Sequence, residues 1–192
     1  NEPASATPAK IVFQHEPAVP ARAAYHHEAI PANERNPDAT FGETDGVNWC
    51  LQAFKAGGGY VVAWAEKTVS PGHRLLFFTV DYVPKGTPTT DKAVAEIHSV
   101  LRADFDDLVA SHRAWWHDYY PKSFLSIPDA RMESFYWIQM YKLASATRAD
   151  RPAIDLMGPW FRSTPWPHIW WNLNIQLTYW PVYAANHLEL GE

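Results

Sequence analysis

Residues 157–181 read MGPWFRSTPWPHIWWNLNIQLTYWP, and the rest of the chain is best understood outward from them. The stretch holds Trp160, Trp166, Trp170, Trp171 and Trp180, half of the ten tryptophans, so aromatic surface is concentrated here. Pro159, Pro165, Pro167 and Pro181 interleave with them. Each proline fixes φ and removes a backbone donor, which holds much of the segment out of regular helix or strand. An indole brings a large flat apolar face and one N–H donor, suited to buried packing or to stacking on a flat ligand face. Asn172, Asn174 and Gln176 lie among these rings, with Asp155, Arg162 and His168 close in sequence. An aromatic core at a helix junction and a rigid loop that grips a sugar ring both explain this composition. The spacing of Asn172 and Asn174 favours the second. In extended geometry residues two apart face the same side, and two carboxamides, each donor and acceptor, then address one ligand or one water.

Outward from this stretch the chain changes character twice. Residues 1–88 read as β. Residues 11–13 are a short apolar run, 47–54 alternate loosely, and 60–65 and 75–80 are rich in β-branched and aromatic side chains. Gly57, Gly58 and Gly59 punctuate them as a hairpin turn, and so do Pro71 and Gly72. These are expected to be the last strands of an antiparallel β-sandwich, with residues 20–45 a long loop. From Thr89 onward Val94, Ile97, Leu101, Phe105, Leu108, His112, Trp115 and Tyr119 recur at helical spacing. This predicts one amphipathic linker helix within 89–128, capped by Thr90 or Asp91 and ended by Pro121. A second helix is expected over 129–147 and a third over 176–190, opening an α domain at 129–192.

Composition narrows the function classes. The chain has 192 residues, is 47% hydrophobic and only 19% charged, so it is globular rather than disordered. A net charge of −5 with acids and bases dispersed carries no basic footprint for nucleic acid. No apolar run reaches the ~20 residues needed to span a membrane. Cys50 is the single cysteine, which excludes an internal disulfide and a cysteine-based zinc site; between Trp49 and Leu51 it reads as a buried core thiol. The chain opens on Asn1 without a signal-peptide pattern and closes on a helix end at Glu192, so it is expected to be an internal piece of a larger protein.

Other candidate chemistry is weaker. His26 and His27 are adjacent, His112 and His117 are five apart and diverge on a helix, and there is no HExxH. No metal and no cofactor are expected. Asp104, Asp106 and Asp107 with Arg102 and Arg113 read as the solvated face of the long helix. No GxSxG supports a serine nucleophile, and the glycine triplet lacks the lysine and helix of a phosphate loop.

The residues around the tryptophans resemble glycoside hydrolase family 95, the α-L-fucosidase and α-L-galactosidase family. The resemblance runs through PAIDLMGPW (152–160), TPWPHIWWNLNIQLTYWPVYAANHLELGE (164–192) and, more weakly, YWIQMYKLASATR (136–148). The family string is a Leu-x-Gly-x-Trp turn, Pro-Trp, Asn-x-Asn-x-Gln, Tyr-Trp-Pro, Ala-Asn and Glu-x-x-Glu. Here it is matched by Leu156, Gly158 and Trp160; Pro165 and Trp166; Asn172, Asn174 and Gln176; Tyr179, Trp180 and Pro181; Ala185 and Asn186; and Glu189 and Glu192.

The resemblance implies a β-sandwich, a helical linker and the first helices of an (α/α)6 toroid. It implies inverting hydrolysis of α-linked L-fucose or a related sugar of complex glycans, in which an acid protonates the leaving oxygen and a base activates water. Asn172 and Asn174 would position that water, the general acid and base would lie beyond Glu192, and the fragment alone would be inactive. Trp160, Trp166, His168, Trp171 and Gln176 are the expected sugar-binding residues. The partner would be a glycan, in a secreted or periplasmic setting of bacterial-type glycan degradation. Two positions depart from the family. Pro167, His168, Ile169, Trp170 and Trp171 replace a small polar or histidine-containing approach, and Asp155 stands where the family tends to carry Asn. A bulky indole in place of a polar sugar contact changes which hydroxyls are satisfied, and specificity depends on such pairs. Two other classes are compatible with the same residues: a non-catalytic carbohydrate-binding protein on the same toroid, and another (α/α)6 enzyme such as a glycoside phosphorylase.

Overall fold

The structure, a computed structural model, describes residues 10–158, 160, 164–166 and 168–191. Pro159, Arg162, Pro167 and Glu192, each used above, lie outside the described residues. The described residues combine a four-stranded antiparallel sheet with five α-helices. They divide into two compact units: residues up to Val19 with Ile30–Asp107, and Pro20–Ala29 with Leu108 onward.

Residues 20–45, expected as a loop, hold more structure than that. They contain the short helix α1 (Ala21–His26), a 3-10 turn at Ala32–Glu34 and strand β1 (Thr40–Thr44). The sheet continues with β2 (Val47–Ala53), β3 (Gly59–Ser70) and β4 (His73–Val83), each paired with its sequence neighbour. Asp45 and Gly46 join β1 to β2 with both φ angles positive, 49° and 78°, the backbone a tight two-residue hairpin requires. The glycine turn before β3 forms as predicted. A Cβ at Gly58 would lie 2.4 Å from the Val83 carbonyl oxygen, so that close approach requires glycine. Residues 11–13 form no strand. They line an apolar groove with Val62, Trp64 and Phe78, and Phe13 stacks on Trp64 at 4.7 Å.

Period-two alternation sends the odd-numbered residues of β2 and β3 to one face. Val47, Val61, Ala63 and Ala65 are buried there against Ala93, Val94 and Ile97 of helix α2 (Asp91–Arg102). The small alanines admit the helix closely and Ile97 fills the remaining space. Asp81 of β4, nearly buried, pairs with Lys92, and Thr79 donates to Glu96 at 2.7 Å. On the other face Cys50 is fully buried, as expected, and burial pushes its thiol pKa up.

The single long helix predicted from Thr89 is two. After α2 the backbone turns extended at Ala103 (φ −69°, ψ 153°), and α3 (Phe105–Tyr119) begins. Asp104 accepts the Asp106 N–H at 2.8 Å. A short acidic side chain that bonds the backbone locally offers an alternative to helix continuation, so Asp104 caps α3 rather than decorating a continuous face. Pro121 ends α3 in a 3-10 turn, as predicted.

In the second unit α4 (Ala130–Ala146) is capped by Asp129, whose carboxylate accepts the N–H groups of Arg131 and Met132. The last helix, α5 (Leu173–Ala184), starts three residues before the expected Gln176 and ends well before Leu190. Pro181 lies inside it, and Asn186 at φ 59° stops it. The core joins Tyr119, Met140, Ala144, Val182, Ala185 and Leu190, and Tyr119 donates from its hydroxyl to the Met140 carbonyl at 2.9 Å.

Candidate functional site

The early start of α5 changes the geometry of the asparagine pair. Asn172 is the residue before the helix, and Asn174 lies in its first turn. They are not two residues of an extended strand. On a helix, residues two apart are rotated by about 200°, so their carboxamides diverge rather than share one side. Both are exposed, and the Asn174 carbonyl accepts the Thr178 hydroxyl at 3.0 Å. The expectation that they jointly face one water is corrected by this helix start.

Two clefts open along α5, and three of the expected site residues, Trp160, Trp171 and Gln176, line them, whereas Asn172 and Asn174 are among the lining residues of neither. The first, of about 400 Å³, is lined by Trp171, Ile175, Gln176, Tyr179, Trp180 and Tyr183 on one side and by Arg148 and Arg151 on the other. The second, of about 460 Å³, is lined by Leu177, Thr178 and Pro181 of α5 together with Asp155, Met157 and Trp160. Helical rotation assigns Asn174 to the same sector of α5 as Leu177, Thr178 and Pro181. Trp171 and Gln176 therefore meet in the first cleft, and Trp160 lies in the second with Asp155. Trp166 and His168 line neither. Their rings lie near that of Trp170, with centroids 4.4 Å and 6.2 Å from it, and both residues are exposed.

The first cleft has the features of a preorganised aromatic site. Trp171 is 83% exposed, and Trp180 and Tyr183 are each more than half exposed, so their faces are open to a ligand. The wall behind them is fixed by hydrogen bonds. The Tyr179 hydroxyl accepts the Ile154 N–H at 3.0 Å and lies 3.3 Å from the Thr147 hydroxyl. Tyr183 donates to the Gly191 carbonyl at 3.2 Å. Arg148 is anchored through Nη1 to the carbonyls of Ala144 and Thr147, and its guanidinium stacks 4.0 Å over the Trp115 ring. Among the described residues no carboxylate lines this cleft.

Tyr179, Trp180, Tyr183 and the two arginines were not among the expected pocket residues. The aromatic part had a signal. From Gln176 the series 176, 179, 180 and 183 follows helical spacing, which becomes visible once α5 is known to begin at Leu173. Arg148 and Arg151 come from the chain just after α4 and carry no such periodic mark.

Beside this cleft lies an ionic cluster that the sequence did not disclose. Lys122 bonds Glu189 at 2.9 Å and lies 3.2 Å from Asp118. The Glu189 hydrogen bond raises the ammonium pKa, and the same bond lowers that of the carboxyl. His187 is fully buried and stacks on Tyr119 at 3.9 Å. Its Nε2 is 3.4 Å from the Ser123 hydroxyl, while Nδ1 has no hydrogen-bond partner and lies 3.9 Å from the Glu189 carboxylate. Burial lowers the imidazolium pKa and drives the Tyr119 phenol well above its usual value. The two rings thus form a neutral aromatic pair.

Among the described residues no group of three or more His, Cys, Asp or Glu side chains is placed to hold a metal ion. No helix among them is long and apolar enough to cross a membrane. Comparison of the chain with protein families, with curated proteins and with solved structures finds no match.

Proposed function

We propose that this chain supplies the sugar-gripping wall of an inverting glycoside hydrolase that acts on α-linked L-fucose or a related sugar. The observation that carries the reading is the cleft in which Trp171 and Gln176 meet beside Trp180 and Tyr183. Exposed indole and phenol faces stack on the apolar face of a pyranose, and the Gln176 carboxamide both donates to and accepts from its hydroxyls. A cavity of this size takes a mono- or disaccharide. In the finer architecture of this proposal, the sheet belongs to a β-sandwich, α2 and α3 lie in a linker region, and α4 and α5 open an (α/α)6 toroid. The general acid and base come from elsewhere in this reading, since none of the described residues lining the cleft is a carboxylate. Asn172, just before α5, and Asn174, in its first turn, contribute separately to orienting water or substrate. A secreted or periplasmic setting accords with action on complex glycans.

The absence of a carboxylate among the described residues lining the cleft also favours a second reading, a carbohydrate-binding protein without catalysis. Turnover by a longer chain that includes these residues separates them, since hydrolysis supports the first and binding without hydrolysis the second. The 192-residue protein is expected to bind α-L-fucosyl or related oligosaccharides, with Gln176→Ala weakening binding about ten-fold through loss of a polar contact. It is expected to release no sugar by itself. In a chain that does hydrolyse, Asn172→Ala or Asn174→Ala should lower kcat about 10²-fold, and unchanged turnover in both would remove the water-orienting role. Failure of every saccharide to bind the cleft would overturn both readings.

A further inference from the structure

The aromatic cleft holds an unexplained charge pattern. The chain as a whole is acidic, with a net charge of −5, yet among the described residues the side chains lining this cleft include two guanidinium groups and no carboxylate. Asp150, the acid next in sequence to Arg151, lines the neighbouring ionic cavity, which Arg148 also borders. Its carboxylate lies 3.7 Å from Arg151 Nε, too long for a hydrogen bond, so it leaves the Arg151 fork open to another acceptor. Arg148 is held in place through Nη1 and by its stack on Trp115, which fixes a positive charge at the cleft wall without requiring a ligand to order it. A neutral deoxyhexose offers the guanidiniums only neutral hydroxyl and ring-oxygen acceptors. A planar carboxylate matches the guanidinium fork and forms the shorter, stronger charge-assisted bonds.

Resting on the saccharide-binding reading above, we infer that the cleft takes a carboxylated saccharide, its ring against Trp171 or Trp180 and its carboxylate on Arg148 and Arg151. The sugar recognised is then a uronic-acid-bearing glycan rather than a wholly neutral one.

The test is titration calorimetry of the intact 192-residue protein with a galacturonate trisaccharide and its fully methyl-esterified counterpart. The two probes share rings and differ in charge. At low ionic strength the acid form should bind at least ten-fold more tightly than the ester. The gap should narrow at high salt as the exposed part of the attraction is screened. Arg151→Gln, at an exposed position, should lower the affinity for the acid form to that for the ester. Trp171→Ala should weaken both probes together. Equal affinity for acid and ester would overturn this inference and leave the saccharide reading standing. Failure of both probes, along with every neutral saccharide, would remove the two together. Acid binding that survives Trp171→Ala but disappears in Arg151→Gln would show unspecific charge attraction and also overturn it.

Discussion

The two units bury their interiors in opposite ways. The sheet packs on α2 through Val47, Val61, Ala63, Ala65, Ala93, Val94 and Ile97, small aliphatic side chains with nothing to hydrogen-bond. The helical unit packs through Tyr119, Met140 and Val182 among tryptophans and tyrosines, and each polar atom brought inside needs a partner. Tyr119 finds the Met140 carbonyl, while His187 keeps one ring nitrogen without one. The aliphatic core depends on volume, and the aromatic core on volume together with protonation state. That difference determines how each unit should respond to mutation and pH.

Ile97→Ala should be the costliest change in the aliphatic core. It removes a nearly fully buried side chain and leaves a cavity, a loss of about 2–5 kcal/mol. Chemical denaturation followed by far-UV circular dichroism measures it, and a loss below about 1 kcal/mol would show that the sheet does not depend on α2. In the aromatic core Tyr119→Phe keeps the ring and deletes only the bond to Met140, so the expected loss is smaller, about 1 kcal/mol. A cost as large as that of Ile97→Ala would mean that this hydroxyl organises more of the unit than its single bond implies.

The pH response should separate the units further. Burial lowers the His187 pKa below its ordinary 6.5, so the unfolded chain takes up a proton that the fold resists. Stability from this group is present above about pH 6.5 and is lost as pH falls toward the folded value, by at most about 1.4 kcal/mol per pH unit. Glu189, also lowered, adds its own loss only as pH falls below the ordinary carboxylate range. Thermal melts from pH 7.5 to 5 should therefore fall in the native protein and flatten in His187→Phe, which keeps a ring on Tyr119. An equal slope in both proteins would take His187 out of the account. The smallest effect belongs to the exposed asparagines. Asn172→Ala and Asn174→Ala should each shift stability by no more than about 0.5 kcal/mol, and a larger shift would mean that they serve the fold rather than a ligand.

How far these properties could be read from sequence differs between the units in the same way. The sheet was legible where a buried face forces alternation, at Val47, Trp49 and Leu51 and at Val61, Ala63 and Ala65. Strand β1 was not, because Thr40, Gly42 and Thr44 occupy a half-open edge with no apolar face to mark them. Helical period was legible through α2 and α3 but passed over the break at Asp104, since a capping carboxylate leaves the apolar spacing on either side almost undisturbed. Around α5 the prolines suggested irregular chain up to Gln176, whereas Pro181 is accommodated within the helix. That single difference of start turns Asn172 and Asn174 apart and sets Trp171, Gln176, Trp180 and Tyr183 along one cleft. His187 and Lys122 are brought together with Tyr119 and Glu189 only by tertiary packing, which no local pattern records.

The central claim is that the cleft on α5 binds a saccharide through its exposed aromatic faces. The most direct measurement is the saccharide affinity of the native protein against that of Trp171→Ala, read by titration calorimetry, with thermal melts confirming the fold of both. The account predicts a loss of about ten-fold in affinity, the scale of one aromatic stacking contact, at an unchanged melting temperature. Undiminished affinity in Trp171→Ala would contradict it.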